Sequence, residues 1–275
     1  MKIAYQGIPG SYSESCAKKN YPKCETISCK TFDECFEMAN NDSSIKTIIP
    51  ESNNTTGNIG IEYLIFKFRL NIHAEHFYKI SHNLLGIKGS KIKDIINVYS
   101  HAQALSQSAI FLKKNNLNGQ VRADTAGSAK YVSESKDITK AAIASKLSSE
   151  IYNLEILGKD IQDNKENFTR FLLLGKDILQ PEKNNKLYIT SFLFKLKSKP
   201  AALYSALQGM AINGVNMIKL QSFPEKNSFS SYFFLCEVEG NLNETKIKNS
   251  LEDLNYHCED MSILGVFEAD KLRKK

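Results

Sequence analysis

Apolar and polar positions alternate in blocks along residues 1–175. Short apolar runs at residues 3–5, 45–50 and 168–174 predict buried strands, and the second run is expected to stop at its terminal proline. Between such runs, segments such as residues 31–40 carry apolar side chains at helical spacing on one side. Strands that alternate with helices predict a doubly wound α/β architecture.

The pattern also predicts the remaining elements of this region. A helix is expected to begin at Ser11 or Ser13, either of which can act as an N-cap, and to run to about residue 19. The other expected elements are helices over residues 59–68 and 101–114, extended segments over 71–80, 83–86 and 120–123, a strand over 94–100, a helix start at 124–129 and a strand-to-helix unit at 141–145.

Polar segments rich in Ser, Thr, Asn and Gly follow several of the expected strands. They are residues 7–13, 51–58, 100–107 and 124–128. Open α/β sheets bind ligands at the carboxyl ends of their strands, so these segments are expected to converge. If these segments gather into two clusters, a chain of 275 residues is expected to form two lobes with a cleft between them.

The composition changes after the polar residues 180–186, which are expected to form a linker. The pattern beyond them predicts strand, helix, strand, strand, helix and strand over residues 187–196, 200–213, 215–223, 231–238, 243–254 and 259–267. Pro200 is expected in the first turn of the first of these helices, with Gly214 as its C-cap. This βαββαβ order predicts a ferredoxin-like second domain.

Composition and charge narrow the class of protein. Of the 275 residues, 42% are hydrophobic, and the net charge is +6. Lysines are spread along the chain, so no nucleic-acid partner is expected, and the cluster at residues 271–275 is expected to be a solvated terminus. No apolar run approaches the roughly 20 residues of a membrane span, and no signal-peptide pattern opens the chain. We therefore expect a soluble cytoplasmic protein without membrane contact.

Cysteine and histidine spacing gives no sign of a metal site. The six cysteines form no C-x-x-C pair, and we expect reduced, partly buried thiols. His73 and His76 lie three residues apart in an extended segment, which places them on opposite faces.

Thr169 and Arg170 stand where the polar residues 162–167 meet an apolar run. A guanidinium binds carboxylates bidentately, and a hydroxyl can donate or accept a hydrogen bond. Neighbouring side chains face opposite sides of a strand unless the backbone bends. Taken alone, the pair is open to two interpretations, a strand end with a surface arginine or an anion-binding site.

Five separated motifs make the sequence similar to one enzyme family over essentially its whole length. They are Thr169-Arg170-Phe171 preceded by Asn167, the segments at residues 5–13, 100–107 and 124–129, and the loop from Pro50 to Gly57. In their order along the chain, these motifs resemble those of prephenate dehydratase with a C-terminal ACT regulatory domain. The resemblance implies a two-lobed, periplasmic-binding-protein-like catalytic domain over residues 1–180 and an ACT domain over residues 187–275.

The resemblance also implies a reaction and its residues. Such a lyase converts prephenate to phenylpyruvate, water and carbon dioxide in phenylalanine biosynthesis, with no metal or cofactor. Thr169 is the implied catalytic residue. The implied substrate-binding residues are Arg170, Phe171, Asn53, Ser11, Ser100, Gln107, Thr125 and Ala126, and the implied phenylalanine effector site comprises Ala201, Ala202, Leu203, Gln221 and Ser222.

The sequence departs from the family pattern in both domains. In the loop from Pro50 to Gly57, the family's Glu and Ser positions are occupied by Ser52 and Asn54. In the effector motifs, a family Gly falls on Ala201 and a family Arg on Phe223.

Three alternatives remain open at this stage. The substrate could be arogenate, the amino-acid cousin of prephenate. The chain could instead be a non-catalytic sensor of an amino acid or small anion, or a small-molecule-binding protein like the solute-binding family. Since βαββαβ domains expose sheet edges or faces that pair with a second copy, a homodimer or homotetramer is expected.

Overall fold

The computed structural model describes residues 1–181, 186–226, 228 and 230–274. The helices are α1 (Tyr12–Asn20), α2 (Phe32–Asn41), α3 (Glu62–Phe68), α4 (Ala102–Ser106), α5 (Ala109–Lys114), α6 (Thr125–Ser135), α7 (Lys146–Ile151), α8 (Ala202–Ile212) and α9 (Thr245–His257). Short 3-10 helices cover Ile92–Asp94 and Lys271–Lys274. No helix in this described part is long and apolar enough to cross a membrane.

The strands belong to three sheets. They are β1 (Lys2–Gln6), β2 (Glu25–Cys29), β3 (Ile45–Asn53), β4 (Gly57–Asn58), β5 (Asn71–Lys79), β6 (Asn83–Gly86), β7 (Asn97–Ser100), β8 (Asn118–Val121), β9 (Lys140–Ala144), β10 (Glu155–Gly158), β11 (Phe168–Gly175), β12 (Tyr188–Leu196), β13 (Met217–Pro224), β14 (Tyr232–Glu239) and β15 (Cys258–Glu268). The strand orders are β2-β1-β3-β11-β5 with β4 on β3, β10-β6-β9-β7-β8, and β13-β14-β12-β15. The mixed α/β class is therefore confirmed.

The chain forms two compact units, and each is built from segments that are separated in the sequence. One comprises Met1–Cys35, Ile48–Ile59 and His76–Phe171, and the other comprises Phe36–Thr47, Gly60–Glu75 and Leu172–Lys275. The division into residues 1–180 and 187–275 stays a prediction, and residues 182–185 of the expected linker lie outside the described residues.

The second sheet carries apolar side chains on both faces. Leu84 and Ile143 pack with α4 and α5 side chains in one core, whereas their neighbours Leu85 and Ala142 pack with α6 side chains in another. Since successive strand residues point to opposite faces, this alternation places helices on both sides of the sheet.

Several predicted boundaries in the first 114 residues are wrong. β3 does not stop at Pro50 but continues to Asn53 and turns into β4, with Ser52 opposite Asn58. The proline removes only its own N–H donor, and the hairpin resumes pairing two residues later. The segment at residues 51–58 is therefore a β-hairpin rather than a loop.

The expected helix over residues 101–114 is divided into α4 and α5 at Gln107 and Ser108. The Gln107 carbonyl accepts a hydrogen bond from the Asp163 N–H (2.7 Å), and the Asp163 carboxylate accepts one from Ile110 N (3.2 Å). A residue distant in sequence thus satisfies both ends of the break. The strand expected over residues 94–100 likewise begins only at Asn97, after a 3-10 turn.

The third sheet and its two helices follow the predicted βαββαβ order. Phe192, Phe194, Ala206 and Leu251 are buried between the sheet and the helices α8 and α9. The neighbouring strands of this sheet, β13–β14, β14–β12 and β12–β15, pair antiparallel. The observed order of elements is strand, helix, strand, strand, helix and strand.

Two details of this region differ from expectation. Pro200 precedes α8 instead of lying in its first turn, because Ala201 is the N-cap, and Asn213 rather than Gly214 is the C-cap. The C-terminal cluster is not merely solvated, since Arg273 forms a bidentate pair with the buried Glu75 (2.6 and 2.8 Å). A charge pattern alone does not reveal such a buried partner.

Candidate functional site

A cavity of about 330 Å³ lies in the first compact unit. Its walls come from strand ends and helix starts, as the polar segments predicted. The lining residues are Gln6, Gly7, Ser11, Tyr12, Ser13, Pro50, Asn53, Thr56, Ile59, Ile80, His82, His101, Gln103, Ala104, Gln107, Ala123, Asp124, Thr125, Thr169 and Phe171. Six of the predicted catalytic and substrate-binding residues are therefore brought together: Ser11, Asn53, Gln107, Thr125, Thr169 and Phe171.

The turn before α1 presents the first of these residues. Ser11 is the N-cap, and its Oγ accepts a hydrogen bond from Glu14 N (3.3 Å). The Gly10 carbonyl accepts hydrogen bonds from Ser145 Oγ (2.6 Å) and Ser148 Oγ (2.9 Å). A Cβ at Gly10 would lie 2.5 Å from Ser148 Oγ, so this close approach requires glycine.

The start of α6 presents Asp124 and Thr125 to the cavity. Asp124 is the N-cap, and its carboxylate accepts a hydrogen bond from Gly127 N (2.5 Å). Ala126, also predicted to bind substrate, is buried on the inner face of α6 and does not line the cavity.

Asn53 orients Thr169. The side-chain oxygen of Asn53 accepts hydrogen bonds from the backbone N–H groups of Thr55 (2.9 Å) and Thr56 (3.2 Å), which identifies that atom as the oxygen. The amide nitrogen of Asn53 then lies 2.9 Å from Thr169 Oγ1 and donates to it. Because the threonine oxygen accepts this bond, its own proton is not directed at Asn53.

The same amide belongs to a longer chain of side-chain hydrogen bonds. Asn53 Nδ2 also lies 2.8 Å from Asn167 Oδ1 and 3.0 Å from the Phe168 carbonyl, so its two hydrogens are shared among three acceptors. Asn167 Nδ2 donates to Gln107 Oε1 (3.1 Å). Gln107 Nε2 returns to Thr55 Oγ1 (2.9 Å), which donates to Asn53 Oδ1 (2.5 Å). This ring joins the β3–β4 turn to the segment before β11.

Arg170 is not placed where a substrate carboxylate could use it. Its side chain is buried and pairs with the buried Glu51 (NH1 to Oε2, 3.3 Å), and it does not line the cavity. The expected alternation on β11 is observed, because Thr169 faces the cavity while Arg170 faces the core. The role of Arg170 as a carboxylate holder is thus unsupported in this structure.

Ser52, which stands at the family's Glu position, donates a hydrogen bond from its Oγ to Glu51 Oε2 (2.7 Å). The carboxylate of this loop is therefore present one residue earlier. It faces Arg170, so it does not supply a charge to the cavity wall.

Ser100 is also placed away from the cavity. Its fully buried hydroxyl donates to the carbonyl of Ile143 (2.6 Å), and His101 rather than Ser100 caps α4. Phe171 does line the cavity, and its ring packs edge-on against Tyr78.

Sequence reasoning missed Tyr12 and His82 as cavity residues. His82 Nδ1 lies 2.7 Å from Tyr12 Oη, and His82 Nε2 lies 2.9 Å from Gln107 Oε1. The polar triplet Ser81-His82-Asn83 between two apolar strands was the available signal, but its partners lie far away in sequence. Burial lowers the pKa of His82 and raises that of Tyr12, so both are neutral near pH 7.

The cavity wall carries little formal positive charge. Within the part of the chain that the structure describes, no lysine or arginine lines it. The described residues also contain no group of three or more metal-ligating side chains, and the cysteines form no disulfide there. His73 contacts the Asp177 carbonyl, whereas His76 contacts Tyr21 Oη.

The predicted effector residues lie at the start of α8 and on β13. Ala201 has a left-handed backbone (φ 58°), Ala202 begins α8, and Leu203 packs against the core below it. Gln221 and Ser222 lie on β13, followed by Phe223, which packs with Phe233 and Phe66 in an aromatic cluster. The residue at the family's Arg position is therefore engaged in packing.

Comparison with known proteins identifies the class of the chain. The sequence model of the family described as prephenate dehydratase matches residues 3–178. The chain belongs to this family, and it is a carbon–oxygen lyase of the prephenate dehydratase type.

Similar proteins cover nearly all of the chain. It is 34% identical to arogenate dehydratase/prephenate dehydratase 2, chloroplastic, of Arabidopsis thaliana, over 98% of this chain and 73% of that protein. It is 33% identical to a bifunctional N-acyl-homoserine lactone acylase/prephenate dehydratase of Komagataeibacter europaeus, over 99% of this chain and 98% of that protein. The fold matches prephenate dehydratase in complex with L-Phe from Arthrobacter aurescens with a TM-score of 0.88, at 22% identity over 98% and 90% of the two chains.

The lowered pKa of His82 predicts a pH dependence. The unfolded chain binds a proton on this imidazole near the ordinary pKa of 6.5, whereas the folded chain binds it only at lower pH. Stability contributed by His82 is therefore complete above pH 6.5 and is lost as the pH falls toward the folded pKa. An NMR titration should place the His82 midpoint below 6.5, with His82→Gln identifying the signal. A midpoint at or above 6.5 would contradict this.

Proposed function

We propose that this chain catalyses the decarboxylative dehydration of prephenate to phenylpyruvate, with Thr169 as the residue that acts on the leaving hydroxyl. The observation that carries the assignment is the hydrogen bond from Asn53 Nδ2 to Thr169 Oγ1 at the cavity wall. The backbone of the β3–β4 turn fixes the direction of that bond. A hydroxyl at a cavity wall whose proton is not used by Asn53 can hydrogen-bond a hydroxide that departs from a ring carbon.

The reaction needs one proton for each turnover. Prephenate and one proton give phenylpyruvate, carbon dioxide and water, and the electrons of the carbon–carboxylate bond complete the aromatic ring. Thr169 hydrogen-bonds the departing oxygen, and its proton is available for transfer to it. Threonine is a very weak acid, so its contribution depends on orientation, which the Asn53 amide supplies.

The two substrate carboxylates need donors, and backbone amides at helix starts are among the donors that this cavity offers. The first turns of α1 and α6 open at Ser11 and Thr125, which both line the cavity. Helix N-termini attract anions through free N–H groups and the helix dipole. In this proposal those amides replace Arg170, which pairs with Glu51.

A second candidate substrate is arogenate, which carries an ammonium where prephenate has a keto group. Asp124 lines the cavity with a carboxylate, and no lysine or arginine stands among the described lining residues to offset it. A carboxylate attracts an ammonium and repels a second carboxylate. The name of the Arabidopsis relative includes both activities, which agrees with either substrate.

For the region of the third sheet we propose an ACT domain that binds phenylalanine and pairs with a second copy. The βαββαβ topology supports this, and the similar Arthrobacter protein is described with L-Phe. For the remainder we propose a two-lobed, periplasmic-binding-protein-like catalytic domain. Its support is the two α/β sheets, with β11 returning to the first sheet after the second is complete.

Replacement of Thr169 tests the chemistry directly. Thr169→Ala should retain the fold and lose about 10²–10⁴-fold in kcat, whereas Thr169→Ser, which keeps the hydroxyl, should stay within about tenfold of wild type. Phenylpyruvate absorbance in alkali measures turnover. Near-wild-type turnover in Thr169→Ala would remove Thr169 from the mechanism, and a wild-type chain that turns over neither substrate would support the sensor alternative.

Replacement of Asp124 tests the choice of substrate. Asp124→Asn keeps an efficient N-cap for α6 but removes the charge. If Asp124 binds the ammonium, kcat/KM for arogenate should fall by about tenfold, corresponding to about 1.4 kcal/mol, while the value for prephenate stays equal or rises. Parallel assays of both substrates give the ratio. Equal losses for both would mean that Asp124 does not distinguish them.

Ala201→Gly tests the effector site. Glycine adopts the left-handed conformation of this position without the Cβ penalty, so the variant should be more stable by about 1 kcal/mol, as measured by the urea midpoint. Calorimetry should detect phenylalanine binding to wild type and tighter binding to the variant. Absence of binding to both chains would contradict the effector proposal, and the stability change would remain a separate result.

A further inference from the structure

We propose that His82 is a positioning residue for Thr169, acting through Gln107 and the ring of amides that ends on Asn53. The inference rests on the proposed dehydratase chemistry. His82 occurs in none of the motifs that assign the site, yet its side chain is buried and it lines the cavity. Its place in the hydrogen-bond order supports the proposal.

The order begins at two atoms that can only donate. The backbone N–H groups of Thr55 and Thr56 identify Asn53 Oδ1 as an acceptor, so Asn53 Nδ2 donates to Asn167 Oδ1. Asn167 Nδ2 must then donate to Gln107, which makes the Gln107 atom facing it the oxygen. Each amide orientation follows from the previous one.

The same order of hydrogen bonds determines which tautomer His82 adopts. Gln107 Oε1 lies 2.9 Å from His82 Nε2, so that nitrogen carries the proton and donates. In the neutral ring Nδ1 is then the acceptor, and it faces at 2.7 Å the Tyr12 hydroxyl, whose single proton is shared with the Ser81 carbonyl at 3.0 Å. The His82 backbone N–H donates to Gln162 Oε1 (2.9 Å), which holds the residue in place from the main chain.

The hydrogen bond from His82 helps to hold the Gln107 side chain in place. Its oxygen accepts from both His82 and Asn167, and its nitrogen donates to Thr55 Oγ1 in the β3–β4 turn. Without the imidazole donor, the Gln107 oxygen accepts a hydrogen bond from Asn167 alone. The Gln107 side chain can then move away from the turn, which loosens the contact between Asn53 and Thr169. A small displacement of an orienting group costs rate more than substrate affinity.

The experiment replaces His82 in the full chain by two amide residues of different length. Gln at position 82 can place an amide nitrogen near the Nε2 position, whereas Asn reaches only the Nδ1 position. We expect His82→Gln to stay within about threefold of wild-type kcat, and His82→Asn to lose about 10–100-fold in kcat with KM within about threefold.

The control is a second Tyr–His pair with the same edge-on packing. Tyr21 and His76 have ring centroids 5.4 Å apart, compared with 5.6 Å for Tyr12 and His82, and neither lines the cavity. His76→Asn should leave kcat within about twofold. Urea midpoints of all three variants show whether a loss of rate merely follows a loss of stability.

Several results would overturn the proposal. One is an equal loss of kcat in His82→Gln and His82→Asn. Another is a rise in KM without loss of kcat, which would make His82 a substrate contact, and a third is no effect at all. Independently of turnover, long-range proton–nitrogen NMR of the neutral ring should find the proton on Nε2. A proton on Nδ1 would refute the proposed order even if the dehydratase assignment fails.

Discussion

Two backbone N–H groups in the turn between β3 and β4 determine the direction of the hydrogen bonds at the cavity wall. Those of Thr55 and Thr56 can only donate, so Asn53 presents its nitrogen to Thr169 and Asn167. Main-chain donors cannot exchange their role for that of an acceptor, as side-chain amides can. The threonine hydroxyl is therefore oriented by the backbone of a hairpin and not by another ionisable side chain.

Successive side chains of β11 face different surroundings. Thr169 faces the cavity, whereas Arg170 faces the buried carboxylate of Glu51. A buried guanidinium without a carboxylate is strongly unfavourable, so the pair leaves neither charge available for a ligand. Among the described residues that line the cavity there is no lysine or arginine, whereas Asp124 contributes a carboxylate.

Many elements could be predicted from the sequence because hydrophobic periodicity is a local property of the chain. The strand at residues 168–174, a helix start capped by Ser11 or Ser13 and the βαββαβ order are examples. Two of the errors share one cause, which is a partner supplied from elsewhere in the chain. Asp163 divides the expected helix over residues 101–114, and the buried Glu75 binds the tail residue Arg273. Local pattern carries no information about such partners.

The sequence by itself determined the alternation of elements, the family and the identity of Thr169 as the residue to examine. Only the tertiary structure decided which predicted residues share the cavity, that Arg170 is committed to Glu51, and that His82 belongs to the network. The physical reason is distance along the chain. Asn53 and Thr169 are 116 residues apart, and a hydrogen bond between them exists only after the strands β3 and β11 become neighbours.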